Sequence, residues 1–235
     1  MGRDFMRFTK LAALAATTAL CATAVFAQDR EGWPESFTVA TASQGGTYFA
    51  YGNGWANLVA EELGLTGGGM VTGGPGQNMS LVHSGEVEFG MTTMGPAAES
   101  IAGLSPIAPG VALTNACAMF PMYQTPFSIT ALSSSGITSV SDIPAGARIG
   151  FGPAGSTSDT YFPRMMDTLG VEYERRNGGW SDLGGQLQDG LLDVIAFAAG
   201  VPVPAVSQLE VQTDVNIIEF TEEEQATILE AFPVL

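Results

Sequence analysis

"GFGPAGSTSD", residues 150–159, admits two readings. Gly150, Gly152 and Gly155 spell G-x-G-x-x-G, the dinucleotide fingerprint that joins a strand to a helix around a pyrophosphate. The same residues spell a glycine turn closed by Ser156 and Asp159, an S-x-x-D helix start. Backbone N–H groups and the hydroxyls of Ser156, Thr157 and Ser158 at such a start suit a carboxylate. Position favours the second reading. A dinucleotide fingerprint opens the first βαβ unit of its domain, and this one lies deep in the chain with few strands' worth of residues after it. Glu172 and Glu174 stand near the distance of a ribose-binding acid, so a nucleotide site stays open as an alternative.

Outward from this loop the chain alternates strand and helix signals. "SFTVATA" (36–42) alternates like a strand and breaks at Ser43-Gln44-Gly45-Gly46. Tyr51, Trp55, Leu58, Val59 and Leu63 then recur at helical spacing. "GMVTGG" (69–74) reads as a strand entering a turn, "QNMSLVHSGE" (77–86) as a helix stopped by Gly85, and "VEFGMTT" (87–93) as the next strand. "GVALTNACAMF" (110–120) and "PFSITALSS" (126–134) read as strands linking two lobes. "SVSDIPAGARIGFG" (139–152) is a turn and a buried strand, with Tyr161, Phe162, Met165, Met166 and Leu169 helical after it. "VEYERR" (171–176) is a strand, Trp180, Leu183, Leu187 and Leu191 mark a helix, and "DVIAFAAG" (193–200) is a strand. "VPVPAVSQLE" (201–210) starts a helix with proline in its first turn. This alternation predicts an α/β fold with mainly parallel sheets, whose ligands sit where loops run into helix N-termini.

Composition removes several function classes. Arg3, Arg7 and Lys10 precede an apolar run from Leu11 to Phe26, and Val25-Phe26-Ala27 fits a cleavage site, so 1–27 reads as a signal peptide and the protein as exported. Without that segment the chain carries five arginines, no lysine and 23 acidic side chains, a balance that argues against nucleic acid and anionic membranes. Cys117 is then unpaired and reads as a small buried apolar residue rather than a nucleophile. His83 reads as a surface or packing residue, and no pattern calls for a metal or cofactor.

Three loops carry the chemistry. Thr41-Ala42-Ser43-Gln44-Gly45-Gly46-Thr47-Tyr48 offers backbone donors and a Thr47 cap, against the plainer reading of a strand-to-helix turn. Gly73-Gly74-Pro75-Gly76-Gln77-Asn78 adds two amides, and Asn78 can both donate and accept. The third is the opening stretch. Arg148, Arg164, Arg175 and Arg176 cluster in one segment; one of them could clamp a ligand carboxylate, while Arg175 and Arg176 suit a solvated strand end.

In this order the segments "TVATASQGGTYFAYGNGWANLV", "GGPGQNMSLVHSGEVEFGMTT", "SVSDIPAGARIGFGPAGSTSD" and "LQDGLLDVIAFAAGVPVPAVSQL" resemble the TAXI-type solute receptors of TRAP transporters across roughly 36 to 232. The most specific parts are T-x-S-x-G-G-T-Y after the first strand and D-I-x-x-G-x-R-I-x-x-G-x-x-G-S in the middle. The resemblance implies a periplasmic, monomeric, two-lobed Venus-flytrap protein, not an enzyme. It would capture a small organic acid or amino acid, glutamate-like or dicarboxylate, and pass it to ion-gradient-driven permease subunits. By matching positions it implies ligand contacts at Thr41, Ser43, Gly45, Gly46, Thr47, Tyr48, Asn78, Gly155, Ser156, Thr157, Phe197 and Gly200. It implies lobe 1 over 28–115, lobe 2 over 116–213, and an incomplete crossover back toward lobe 1 over 214–235, the family's returning segment being expected as missing. Pro75 stands where the family has a serine, which removes a hydroxyl and a backbone donor. Two other readings stay in view: a receptor for an ABC importer or sensor kinase, and an exported enzyme using Gly150–Thr157 for a nucleotide or for acyl transfer at Ser156.

Overall fold

The structure, a computed structural model, describes residues 32–232; the expected signal peptide lies outside the described residues. Strand β1 (Ser36–Ala40) forms because SFTVA alternates, burying Phe37 and Val39. It is flanked by β2 (Thr66–Met70) and β3 (Phe89–Gly90), giving a parallel sheet of order β2-β1-β3. β2 reads TGGGM and begins three residues earlier than the sequence suggested, since glycine is a poor strand former. Packing explains it: side chains on Gly67 and Gly69 would run into the Phe37 ring and Asn53. Helix α1 (Thr47–Leu63) follows β1, α2 (Pro75–Ser84) follows β2, and α3 (Met94–Ile101) follows β3.

The second sheet contains β4 (Phe127–Leu132), β5 (Ala147–Gly150), β6 (Tyr173–Arg176), β7 (Val194–Ala198) and β8 (Val215–Ile218) in the order β6-β5-β7-β4-β8. β5 pairs parallel with β6 and β7, but β4 runs antiparallel to both β7 and β8, so the expectation of mainly parallel pairing holds for the first sheet and not for this one. β4 arrives from the other sheet through a long connection rather than from a βαβ crossover, which is the geometry that enforces parallel neighbours. Within the stretch from 214 on, β8 pairs at this sheet's edge, and α7 (Glu222–Ala231) packs against α4 (Thr157–Thr168).

VIAFA in β7 is buried on both faces, as a central strand requires. Val194 and Ala196 face one core with Phe151, Phe162 and Met166, while Ile195 and Phe197 face another with Trp180, Leu183 and Leu187. The second core is covered by α5 (Trp180–Gln188) and α6 (Pro204–Glu210). Trp180 stacks on Phe197 at 4.5 Å between ring centroids.

Residues 110–120, expected as a strand, form none. They run through the irregular stretch that precedes β4, with no ladder partner beside them. Cys117, expected to be buried, is therefore exposed.

At the base of the second sheet Arg148 makes a two-pronged pair with Asp193, at 3.0 and 2.8 Å. The guanidinium bonds hold the Asp193 carboxyl below its ordinary value. A depressed folded value means stability that is present above the unfolded aspartate range and lost as pH falls through the folded one. Asp193→Asn should therefore melt below the parent at neutral pH, with the gap closing under strongly acid conditions. A pH-independent gap in thermal melts would refute this.

Candidate functional site

Strand ends and helix starts from the two sheets meet. In the first loop, Ser43 Oγ accepts from the Trp180 N–H at 3.3 Å, the Gln44 carbonyl accepts from the Ser181 N–H at 3.3 Å, and the Gly45 carbonyl accepts from the Ala205 N–H at 3.0 Å. Carbonyls of this loop thus satisfy N–H groups at the starts of α5 and α6, which have no partners within their own helices. Gly45 has φ +81° and Gly46 lies against the Trp180 ring; a Cβ at either would sit 2.7 Å from a side-chain atom of the other sheet. Thr47 Oγ1 donates to the Gly200 carbonyl, and Tyr123 packs against Gly200. The second loop lies on the third, with Gly73 against the Ala154 carbonyl and Gly74 against Ser156.

Beside these contacts lies a cavity of about 810 Å³. Tyr48, Asn78 and Thr157 line it among the residues expected from the sequence. Thr157 Oγ1 bonds Thr93 Oγ1 at 2.7 Å, joining the starts of α4 and α3 across the sheets. Tyr48 is only 9% exposed, yet its hydroxyl finds no partner of normal geometry although Thr93 stands beside it. Tyr123, edge-on to Tyr48, also has a hydroxyl without a partner. Burial pushes both phenols well above the ordinary tyrosine value, so both are held as neutral donors. Tyr161 also lines the cavity; burial and then the neighbouring Glu99 carboxylate push it up to about 12.

The other expected residues take different places. Asn78 lines the cavity, but its side chain is fully engaged: it donates to the Thr41 and Met91 carbonyls, both at 2.7 Å, and accepts from Thr72 at 2.6 Å. Thr41 is fully buried and donates to the Met70 carbonyl at 2.8 Å. Phe197 belongs to the core beneath Trp180. Ser43, Gly45, Gly46, Thr47 and Gly200 form the contact between the loops. Gly155 and Ser156 build the third turn: the Gly155 N–H donates to the Asp159 carboxylate at 2.9 Å, and Ser156 Oγ accepts from the Asp159 N–H at 3.1 Å. Sequence reasoning missed Thr93 and Tyr123. The signal for Thr93 was "TTMGPA", a threonine cap with proline in the first turn; Tyr123, in the irregular stretch, had none.

Each arginine from 148 to 176 is spent in an ion pair: Arg148 with Asp193, Arg164 with Glu99, Arg175 with Asp159 and Arg176 with Glu174. None lines the cavity, so the expectation of an arginine clamp gives way to neutral donors there. Ser156 Oγ donates to the Phe151 carbonyl at 3.3 Å, and His83 is bound to Asn115 elsewhere, so no base activates Ser156.

The profile of the NMT1-like family matches residues 39–235. The chain belongs to the NMT1-like family. Solved structures similar to this NMT1-like chain include an R. palustris protein with adipate (TM-score 0.58, 19% identity, 79% of this chain and 66% of that one). An ABC uptake transporter substrate binding protein from Streptococcus pneumoniae with bound histidine matches at TM-score 0.56 and 16% identity, over 85% and 86% of the two chains. An ancestral arginine-binding protein bound to arginine matches at 0.55 and 14%, over 86% and 94%. At these identities the likeness establishes the fold, that of periplasmic solute-binding proteins.

Proposed function

We propose that this NMT1-like chain is the exported solute receptor of a TAXI-type TRAP transporter. Acting as a periplasmic monomer without enzymatic activity, it takes up a small organic acid or amino acid between its lobes and hands it to membrane permease subunits. The observation that carries the reading is the buried, unpartnered Tyr48 hydroxyl beside the Thr93–Thr157 pair, at the starts of two helices in one cavity. Hydroxyls and helix-start N–H groups together form a neutral anion receptor. Backbone contacts between Gln44-Gly45 and Ser181 and Ala205 support a closing motion in which the ligand favours the closed arrangement. The motif order of the glycine loops favours a TRAP partner; the likeness to the S. pneumoniae ABC component favours an importer driven by ATP, as the second reading.

A thermal-shift screen of the full chain against amino acids, dicarboxylates, monocarboxylates, 2-oxo acids and NAD tests the proposal. A ligand at about 100 times its dissociation constant adds about 2.7 kcal/mol, which for a chain of this size is a rise of about 5–10 °C. Such a rise with a small carboxylate supports the receptor. A rise with NAD alone would restore the nucleotide reading of GFGPAG. Uptake in proteoliposomes driven by an ion gradient, without ATP, separates the two transporter classes.

A further inference from the structure

The chemistry of the cavity wall names the solute more closely. Tyr48, Thr93 and Thr157 gather hydroxyls at one place, where α3 and α4 begin. The first N–H groups of α4 have no acceptor within the helix. Asp159 N–H is held by Ser156 and Ser156 N–H by Pro153, which leaves those of Thr157 and Ser158 for a bound anion. The remaining wall is mostly apolar, built from side chains such as Met79, Met91, Met94, Phe127 and the ring of Tyr161, with the Tyr123 hydroxyl and the Gln124 amide as neutral exceptions. Tyr161 turns its hydroxyl away, toward Glu99 at 3.3 Å. Among the described residues no arginine, lysine, histidine or aspartate lines the cavity, and the one acid there, Glu88, accepts from the Thr38 N–H at 2.7 Å.

Resting on the receptor reading, we propose that the solute is a monocarboxylate with an apolar body, rather than a dicarboxylate or an α-amino acid. One carboxylate meets the Tyr48, Thr93 and Thr157 hydroxyls and the helix starts. The rest of the wall offers a second carboxylate no cation, only neutral donors such as the Tyr123 hydroxyl and the Gln124 amide among methionine and aromatic side chains, and a buried charge so poorly matched is unfavourable. An ammonium group beside the first carboxylate would meet only neutral acceptors there, each already holding one donor: the Asn78 oxygen is bound by Thr72, and the Thr41 and Met91 carbonyls are bound by Asn78. The volume, about 810 Å³, lies within the usual range of ligand pockets and well above what a four- or five-carbon acid occupies.

The test is a matched series with eight carbons each: octanoate, octanedioate and 2-aminooctanoate, titrated calorimetrically into the full chain, with glutamate alongside. Octanoate is expected to bind at least about tenfold more tightly than the other two. Tyr48→Phe, which removes only a hydroxyl, should weaken octanoate about tenfold while leaving the melting temperature of the free protein unchanged or higher, since no bond is lost. Octanedioate, 2-aminooctanoate or glutamate binding as tightly as octanoate would overturn this inference and leave the receptor standing. Octanoate affinity unchanged in Tyr48→Phe would also overturn it, marking mere adsorption of an amphiphile. Silence from all four ligands would overturn both the inference and the receptor reading beneath it.

Discussion

Asp159→Ala is expected to lower stability by about 3 kcal/mol and to undo the third loop. The Asp159 carboxylate is only 9% exposed and gathers three donors: the Gly155 N–H at 2.9 Å, Asn177 Nδ2 at 2.6 Å and the Arg175 guanidinium. Truncation leaves the buried Gly155 N–H without an acceptor, at about 1–3 kcal/mol, and Asn177, which is exposed, loses one bond at about 1 kcal/mol while keeping the Gly152 carbonyl at 2.9 Å. Arg175 is 46% exposed and can turn to water, so its share of the loss is small. For a chain of this size the sum corresponds to a fall of about 6–12 °C in Tm. Because Gly155 precedes Ser156 and Thr157, the freed turn should also weaken solute binding. Differential scanning calorimetry reads the first effect, and a loss below about 1 kcal/mol would mean that the backbone alone shapes the turn.

Gly152→Ala is the second large effect, at about 2–4 kcal/mol. Gly152 has φ +77°, a region that puts a Cβ against the following carbonyl oxygen, and the added methyl would run into the Trp180 indole. Trp180 is 4% exposed and stacked on Phe197, so it cannot move aside without disturbing the core of the second sheet. Gly170→Ala separates the two contributions: it shares the left-handed backbone, at φ +71°, but has open space around it. It should lose only the backbone part, about 1 kcal/mol. Equal losses at the two positions in chemical denaturation would show that strain, not the tryptophan, requires glycine at 152.

This also answers the ambiguity of GFGPAGSTSD. Gly152 makes room for a tryptophan, Gly155 turns its N–H toward Asp159, and Ser156 caps α4. Each of these is a demand of the fold, and none needs a pyrophosphate. The motif was visible in the sequence; what its glycines pack against was not, because Trp180 lies a helix and a strand away.

The same boundary between near and far governs the rest. β7 was legible from VIAFA, and α4 from a cap followed by Tyr161, Phe162, Met165 and Met166, because both patterns are local. β2 was misplaced because its glycines answer to Phe37 and Asn53 rather than to strand propensity. The stretch 110–120 is apolar enough for a strand without becoming one, since composition cannot supply a neighbour to pair with. Asn78 offered a polar side chain at a helix start, and its three partners come from Thr41, Thr72 and Met91 in three other segments. The convergence of Thr93 with Thr157 depends on how one sheet's loops meet the other's, which local periodicity does not encode.

The junction between the loops is made largely of main-chain atoms: the carbonyls of Gln44 and Gly45 on one side, the N–H groups of Ser181 and Ala205 on the other. Side chains at 44, 181 and 205 can therefore change with little effect on those bonds, provided Gly45 is kept. The cavity wall is the opposite case, built from the side chains of Tyr48, Thr93, Met91 and Tyr123. The contact between the loops and the lining of the cavity are thus written in different atoms. On the proposed receptor reading, a lineage can exchange one solute for another by altering the wall while inheriting the contact between the loops unchanged.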